Sequence, residues 1–449
     1  MRIFILFGFC LCYQLVAWTQ DPRLILPSTT DPNITTLDNP HYIYTPQGTA
    51  QNKLFVFLPG TGATPAGYQL ISEEAAKSGN HVINLSYQND ISPNSFGICA
   101  FSNDITCHGR FRAEVFDGID RSNGVNVTPA NSTQNRLLKI LQYLETNFPS
   151  EGWGQFLDNG DIVWQEIKLG GHSQGGGHTG YIGKIVSLDR ALMFASNDWL
   201  YSLGRTAAWM SSEGETPPAR YFSFVHPNDE IFPYNLIINS WTSLGIDVFG
   251  SNVETENSSP PYENSRTLNT STTVFFSNHS AMISDGAVPL SGGQPIHDSV
   301  WLYMLNKPLV GLNLHAKVAL EGAYEENMAT MRDDLRQNNL IAIQEPFTTL
   351  GFSHSNGGGG EIIESGVLDI TGEDAIVDWI FIRLEDEAGN FYTRSALIQK
   401  DGDVVDVNGV SPVAFPDLLE GFYQIELRSK NHLAIRTANT SLVRANGLD

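Results

Sequence analysis

Ile167-Lys-Leu169 is followed by Gly170-Gly-His-Ser-Gln-Gly-Gly-Gly177 and then by a helical pattern over 181–186. Five glycines in eight residues between a strand and a helix leave few folds open. A strand that reverses sharply into a helix forces its apex residue into a strained backbone conformation, and side chains two positions either side would collide. Gly171-His-Ser-Gln-Gly175 meets that demand, with Ser173 at the apex. The following helix turns its amide end, with its partial positive charge, toward the apex serine.

The surrounding pattern fits such a turn. Leu54-Phe-Val-Phe-Leu58 is a continuous apolar run closed by Pro59-Gly60 and reads as a buried strand. Further strands are expected at 23–26, 41–44, 81–85, 191–195, 221–225 and 272–276. Helical spacing is expected over 66–77, from Thr133 to Phe148 and over 298–305. Strands alternating with helices imply a largely parallel sheet covered on both faces, spanning residues 21–308. Beyond Leu309 the texture becomes alternating runs and turn-rich connectors with one short helix at 326–337, which predicts an antiparallel β-sandwich over 309–449.

The first twenty residues, MRIFILFGFCLCYQLVAWTQ, join a single positive charge to an apolar run too short to span a bilayer comfortably. They are expected to be a secretory signal peptide, residues 1–20, so the mature chain is expected to be exported and not stably inserted in a membrane. Cys10 and Cys12 would leave with it. Cys99 and Cys107 then form the expected disulfide in an oxidising compartment. The net charge of −23 argues against nucleic acid and anionic membranes as partners.

The first part of the chain resembles the α/β-hydrolase family, and more narrowly a branch of secreted bacterial hydrolases. The resemblance is carried by Leu58-Pro-Gly-Thr-Gly62, the 99–107 loop with Arg112-Ala-Glu-Val-Phe116, Gly171 to His178, His226-Pro-Asn-Asp229 and the stretch 279–305. It implies an acid and then a histidine after the serine in chain order. Asp229 follows the 221–225 strand and is the expected acid, with Asp198 its rival. His279 follows the 272–276 run and is the expected base, with His297 the alternative. The backbone amide of Gln174 and one from the turn after Leu58, Thr61 or else Gly62, would hold an oxyanion; Pro59 has no N–H to offer.

The resemblance thus implies a serine hydrolase cleaving small-molecule or polymeric carboxylic esters (EC 3.1.1) through an acyl-enzyme. A serine amidase or peptidase would use the same residues, and an adhesion or glycan-binding protein on the same fold is a reading from a different class. No cofactor or metal is expected. His172 and His178 lack a third ligand at zinc spacing, and Asp401, Asp403, Asp406 and Asn408 miss the EF-hand pattern at Val405, so a turn at Val407-Asn-Gly409 is expected instead. The C-terminal part resembles a module of secreted Gram-negative proteins at Val377-Asp-Trp-Ile380, Leu397 to Asp403 and Lys430-Asn-His-Leu433, with surface or glycan attachment as its candidate role.

Overall fold

The computed structural model describes residues 21–442 apart from 276, 308–311, 387–388, 416–417, 419–420, 431–432 and 438–439. The expected signal segment, with Cys10 and Cys12, lies outside the described residues. Among the described residues no helix is long and apolar enough to cross a membrane.

A nine-stranded sheet organises the first part of the chain. Its strands are β1 (Arg23–Ile25), β2 (His41–Tyr44), β3 (Leu54–Leu58), β4 (His81–Asn84), β5 (Ile167–His172), β6 (Arg190–Phe194), β7 (Tyr221–Val225), β8 (Val253–Glu254) and β9 (Thr267–Asn269). Their order is β1-β2-β4-β3-β5-β6-β7-β9-β8. Every pairing from β4 to β8 is parallel, and only β1 and β2 run antiparallel to their neighbours.

The strands are apolar throughout because both faces are covered. In β3, Leu54, Val56 and Leu58 point into one core while Phe55 and Phe57 point into the other. Helices α1 (Gln69–Lys77) and α6 (Asp298–Asn306) bring Ile71, Ala75, Trp301 and Met304 to the phenylalanine side. Helices α2 (Cys107–Asp117), α3 (Thr133–Asn147), α4 (Gln174–Ile185) and α5 (Tyr234–Leu244) cover the opposite face through Phe111, Ile140, Leu144, Ile182 and Ile237. This is the α/β-hydrolase architecture expected from the sequence.

One expected strand does not form as placed. The last pairing in the sheet is β9, and residues 272–275 carry no ladder; Phe276 lies outside the described residues. The cause is the neighbour: β7 ends at Val225, whose carbonyl accepts the Thr270 N–H at 3.0 Å, and beyond it the described residues offer no strand to pair with. The hydroxyls of Thr270, Ser271 and Thr272 turn instead to Glu254 and Glu256.

The C-terminal part is antiparallel β. Strands β11 (Ile376–Glu385), β12 (Phe391–Gln399), β13 (Asp403–Val405) and β15 (Gly421–Arg428) belong to one seven-stranded sheet. A ribbon of β10 (Leu312–Leu314) and β14 (Val413–Phe415) packs on one face against Ile380, Ile382 and Ile398. Ile341, Phe347 and Val367, from mostly irregular chain, cover the other face against Trp379, Phe381 and Leu397. The helix expected at 326–337 shrinks to Asp334–Gln337, because Ala329, at φ 55°, closes a hairpin between Tyr324–Glu325 and Thr330–Met331. The Asp401 and Asp403 carboxylates lie 3.1 and 3.2 Å from Lys317 Nζ, while the Asn408 side chain accepts the Val410 and Ser411 N–H groups in the turn around Gly409.

Candidate active site

Strand β5 ends at His172 and α4 begins at Gln174, leaving Ser173 between them at φ 54° and ψ −114°. A non-glycine residue there costs about 1–3 kcal/mol and persists only when its surroundings impose it. They do so here. The Ser173 N–H donates to the Phe194 carbonyl at 2.8 Å, and the Ser173 carbonyl accepts the Gly177 N–H at 3.0 Å. A Cβ on Gly171 would stand 2.3 Å from the Gly175 carbonyl carbon, and one on Gly175 would stand 2.0 Å from the Leu58 carbonyl oxygen. Both glycines are therefore demanded by backbone running against backbone.

The candidate acid and base meet. Asp229 follows β7 by a four-residue turn, and its Oδ1 accepts the Ile231 and Phe232 N–H groups at 2.8 and 2.9 Å. Its Oδ2 lies 2.7 Å from His279 Nδ1, with the carboxylate fully buried and the imidazole 5% exposed. Since Asp229 only accepts, Nδ1 carries the proton and Nε2 is left as the basic nitrogen. Among the described residues that Nε2 is buried without a hydrogen-bond partner, the Ser173 hydroxyl included. The ring packs 4.9 Å from that of His172, the residue covalently preceding Ser173.

Two candidate amides lie beside the same turn. Across Gly60 to Ala63, the Gly60 N–H donates to the Tyr68 hydroxyl, Gly62 to the Asn89 carbonyl and Ala63 to the Gly60 carbonyl. Thr61 alone of these four has no acceptor among the described residues, while the Gly62 amide is taken by the Asn89 carbonyl. The Gln174 N–H, first in α4, also has none. The two residues touch, the Thr61 hydroxyl donating to Gln174 Oε1 at 2.9 Å. Asn89, which no motif marks, secures the turn by donating from Nδ2 to the Gly60 and Ala63 carbonyls at 2.6 and 2.9 Å.

His172 links the histidine loop to that turn. Its Nε2 donates to the His279 carbonyl at 2.9 Å, so its Nδ1 is the acceptor for the Tyr68 hydroxyl, also at 2.9 Å. Burial, reinforced by the neighbouring His279, pushes His172 down to about 3, so it stays neutral. Both its ring nitrogens are committed to this chain. His178 lies edge-on to Tyr87, and burial holds it neutral.

The rival residues sit elsewhere. Asp198 is enclosed by the Arg112 guanidinium, and its Oδ2 also accepts the Trp209 Nε1–H at 2.8 Å. Burial opposes its ionisation, but the Arg112 charge, with His108 nearby and these donors, holds its carboxyl well below the usual range. Arg112 also donates to the Gln174 carbonyl at 3.1 Å, and a Cβ on Gly177 would collide with it at 2.0 Å. His297 packs edge-on to Phe224 at 5.1 Å and is pushed to about 4 by burial. Residues 88–130, an insertion that follows β4, are thus bound to the serine turn through Arg112, and again where the Ile91 carbonyl accepts the Gln174 side-chain amide at 2.7 Å. Cys99 and Cys107 are disulfide-bonded within it, their Cα atoms 5.5 Å apart.

Neither a family model nor a curated protein matches the chain's sequence. Among solved structures it is similar to an alpha-beta serine hydrolase homologue from Coxiella burnetii (12% identity, TM-score 0.27, covering 51% of this chain and 83% of that one). It is also similar to an acetyl xylan esterase from Aspergillus awamori (14%, 0.28, 50% and 80%). A third is Thermogutta terrifontis esterase 2 (12%, 0.33, 64% and 92%). Likeness at this level says nothing of substrate or mechanism, and the architecture rests on the sheet order.

Proposed function

We propose that this chain is an exported serine hydrolase that cleaves carboxylic esters, with Ser173 as nucleophile, His279 as base and Asp229 as the orienting acid. The observation that carries this reading is the His279 imidazole. Its Nδ1 is bound to a buried carboxylate and its Nε2 is left free, in a ring packed on the residue that precedes a strained serine.

In the reaction, Ser173 Oγ attacks the ester carbonyl carbon while its proton passes to His279 Nε2. Asp229 holds the ring and offsets the charge of the imidazolium. The carbonyl electrons collect on oxygen, where the Thr61 and Gln174 amides can donate; one such donor is typically worth about 10²–10³ in turnover. The imidazolium then protonates the leaving alcohol, giving the acyl-enzyme. Water, deprotonated by the same nitrogen, hydrolyses it and restores Ser173.

Hydrolysis of short p-nitrophenyl esters tests the reading, together with labelling by a fluorophosphonate. The wild-type protein is expected to hydrolyse the ester and take up the label, and Ser173→Ala to do neither. Equal rates from both proteins, or no turnover across several acyl lengths, would remove it. Export is tested by N-terminal sequencing of protein from the culture medium, where a start near residue 21 is expected.

A further inference from the structure

Glu230 follows the candidate acid directly, yet its carboxylate points to the other partner of the pair. Oε1 accepts the Ser277 hydroxyl at 2.7 Å, and the main-chain N–H of His279 lies 3.2 Å from Oε2 and 3.4 Å from Oε1. Beside it, Asn278 Nδ2 donates to the Asn228 carbonyl at 3.1 Å. These contacts matter because the described residues of the segment that carries His279 form no strand that would fix it. Its last ladder bond is made at Thr270, and the base lies nine residues further on. The loop is held at the His279 N–H by Glu230, at the His279 carbonyl by His172 and at the ring by Asp229. Two of those three holds come from consecutive residues of one turn.

We propose that Glu230 is a positioning residue for His279: its carboxylate clamps the loop so that the imidazole stays over the serine turn. This rests on the triad reading above. A carboxylate suits the task because charge-assisted bonds to amide and hydroxyl donors are stronger than neutral ones. Glu230 is exposed, and the slight burial it has would raise its affinity for a proton. The Ser277 hydroxyl and the backbone amides outweigh that effect and keep it below the usual carboxylate range. The titratable groups facing His279 are Asp229, Glu230 and His172, with His226 close to both carboxylates. His172 is neutral, so two carboxylates set the local field.

The test uses the full chain with Glu230→Ala and Glu230→Gln, the latter keeping an acceptor oxygen but not the charge. Displacing a catalytic group by about 1 Å can cost about 10²-fold. The Ala variant is therefore expected to lose about 10–100-fold in kcat with little change in KM. Glu230→Gln is expected to recover most of kcat above neutral pH. The His279 amide should exchange with solvent faster in the Ala variant than in wild type. Unchanged kcat and amide exchange in the Ala variant, or no recovery of kcat by Glu230→Gln, would overturn the proposal, as would a loss fully explained by a smaller folded fraction. If wild type shows no Ser173-dependent turnover, the hydrolase reading falls, and the His279 amide then decides the clamp: faster exchange upholds it, unchanged exchange refutes it.

Discussion

Arg112 grips Asp198 through two short contacts, Nε to Oδ2 at 2.6 Å and Nη2 to Oδ1 at 2.5 Å, with neither side chain exposed. Removing one partner of a buried pair leaves an uncompensated charge and costs about 3–5 kcal/mol. Asp198→Asn should therefore lower the urea midpoint sharply. Asp229→Asn should leave the midpoint nearly in place and cut ester turnover by about 10⁴. The reverse pattern would exchange the roles of the two aspartates.

Gly175 tolerates no side chain, since its Cβ would stand 2.0 Å from the Leu58 carbonyl oxygen. Neither backbone can retreat without separating α4 from β3. Overpacking of this kind costs about 1–3 kcal/mol and sometimes more, so Gly175→Ala should give little folded protein. Gly62→Ala meets nothing within 4 Å, but its φ of +67° disfavours an L side chain, so only a mild loss of stability is expected there. Comparing soluble yield and thermal midpoint of the two variants checks the contrast.

Acid should destabilise the fold well before carboxylates protonate. Burial pushes His41 and His172 down to about 3 and His297 to about 4. The unfolded chain, with histidines near about 6.5, binds protons that the folded chain refuses. Stability is then fullest above that value and is lost as pH falls toward 3–4, by about 1.4 kcal/mol per pH unit for each such histidine. The thermal midpoint should drop steadily from pH 7 to pH 5. A flat midpoint over that interval would contradict neutral burial of these rings.

The Cys99–Cys107 bond closes a short loop, a sequence separation of 8. Chain-entropy accounting gives such a loop about 2–3 kcal/mol. Cys107 opens α2, which carries Arg112, so reduction should loosen the ion pair beneath Ser173. A lower unfolding midpoint in dithiothreitol, with loss of turnover at temperatures below it, is the expected result.

What could be read in the sequence follows the range of each cause. The glycines around Ser173 answer to clashes within a few residues, so Gly171 and Gly175 mark the turn unaided. Asp198 and Asp229 both follow parallel strands, and what separates them is Arg112, which comes from the insertion 86 residues before Asp198. No local pattern attaches that arginine to that carboxylate. His279 was expected just after a strand at 272–276, but that strand lacks a neighbour because β7 stops at Val225. The histidine comes to Asp229 on a loop held by Glu230 and His172, and the pairing depends on contacts across 49 and 107 residues. Nothing local in Leu58-Pro-Gly-Thr-Gly62 distinguishes the Thr61 amide from that of Gly62; the difference comes from Asn89, whose carbonyl occupies the Gly62 amide from 27 residues away.

The Thr61 hydroxyl resting on Gln174 joins segments 113 residues apart. That bond braces the two segments proposed to hold the oxyanion against each other, so no closing step is expected before capture. A boronic acid that adds to Ser173 should accordingly bind in one fast phase, without slow tightening. Thr61→Val, which severs the bridge and keeps the amide, should introduce a lag into that onset, so the bridge would set how promptly the protein captures its ligand.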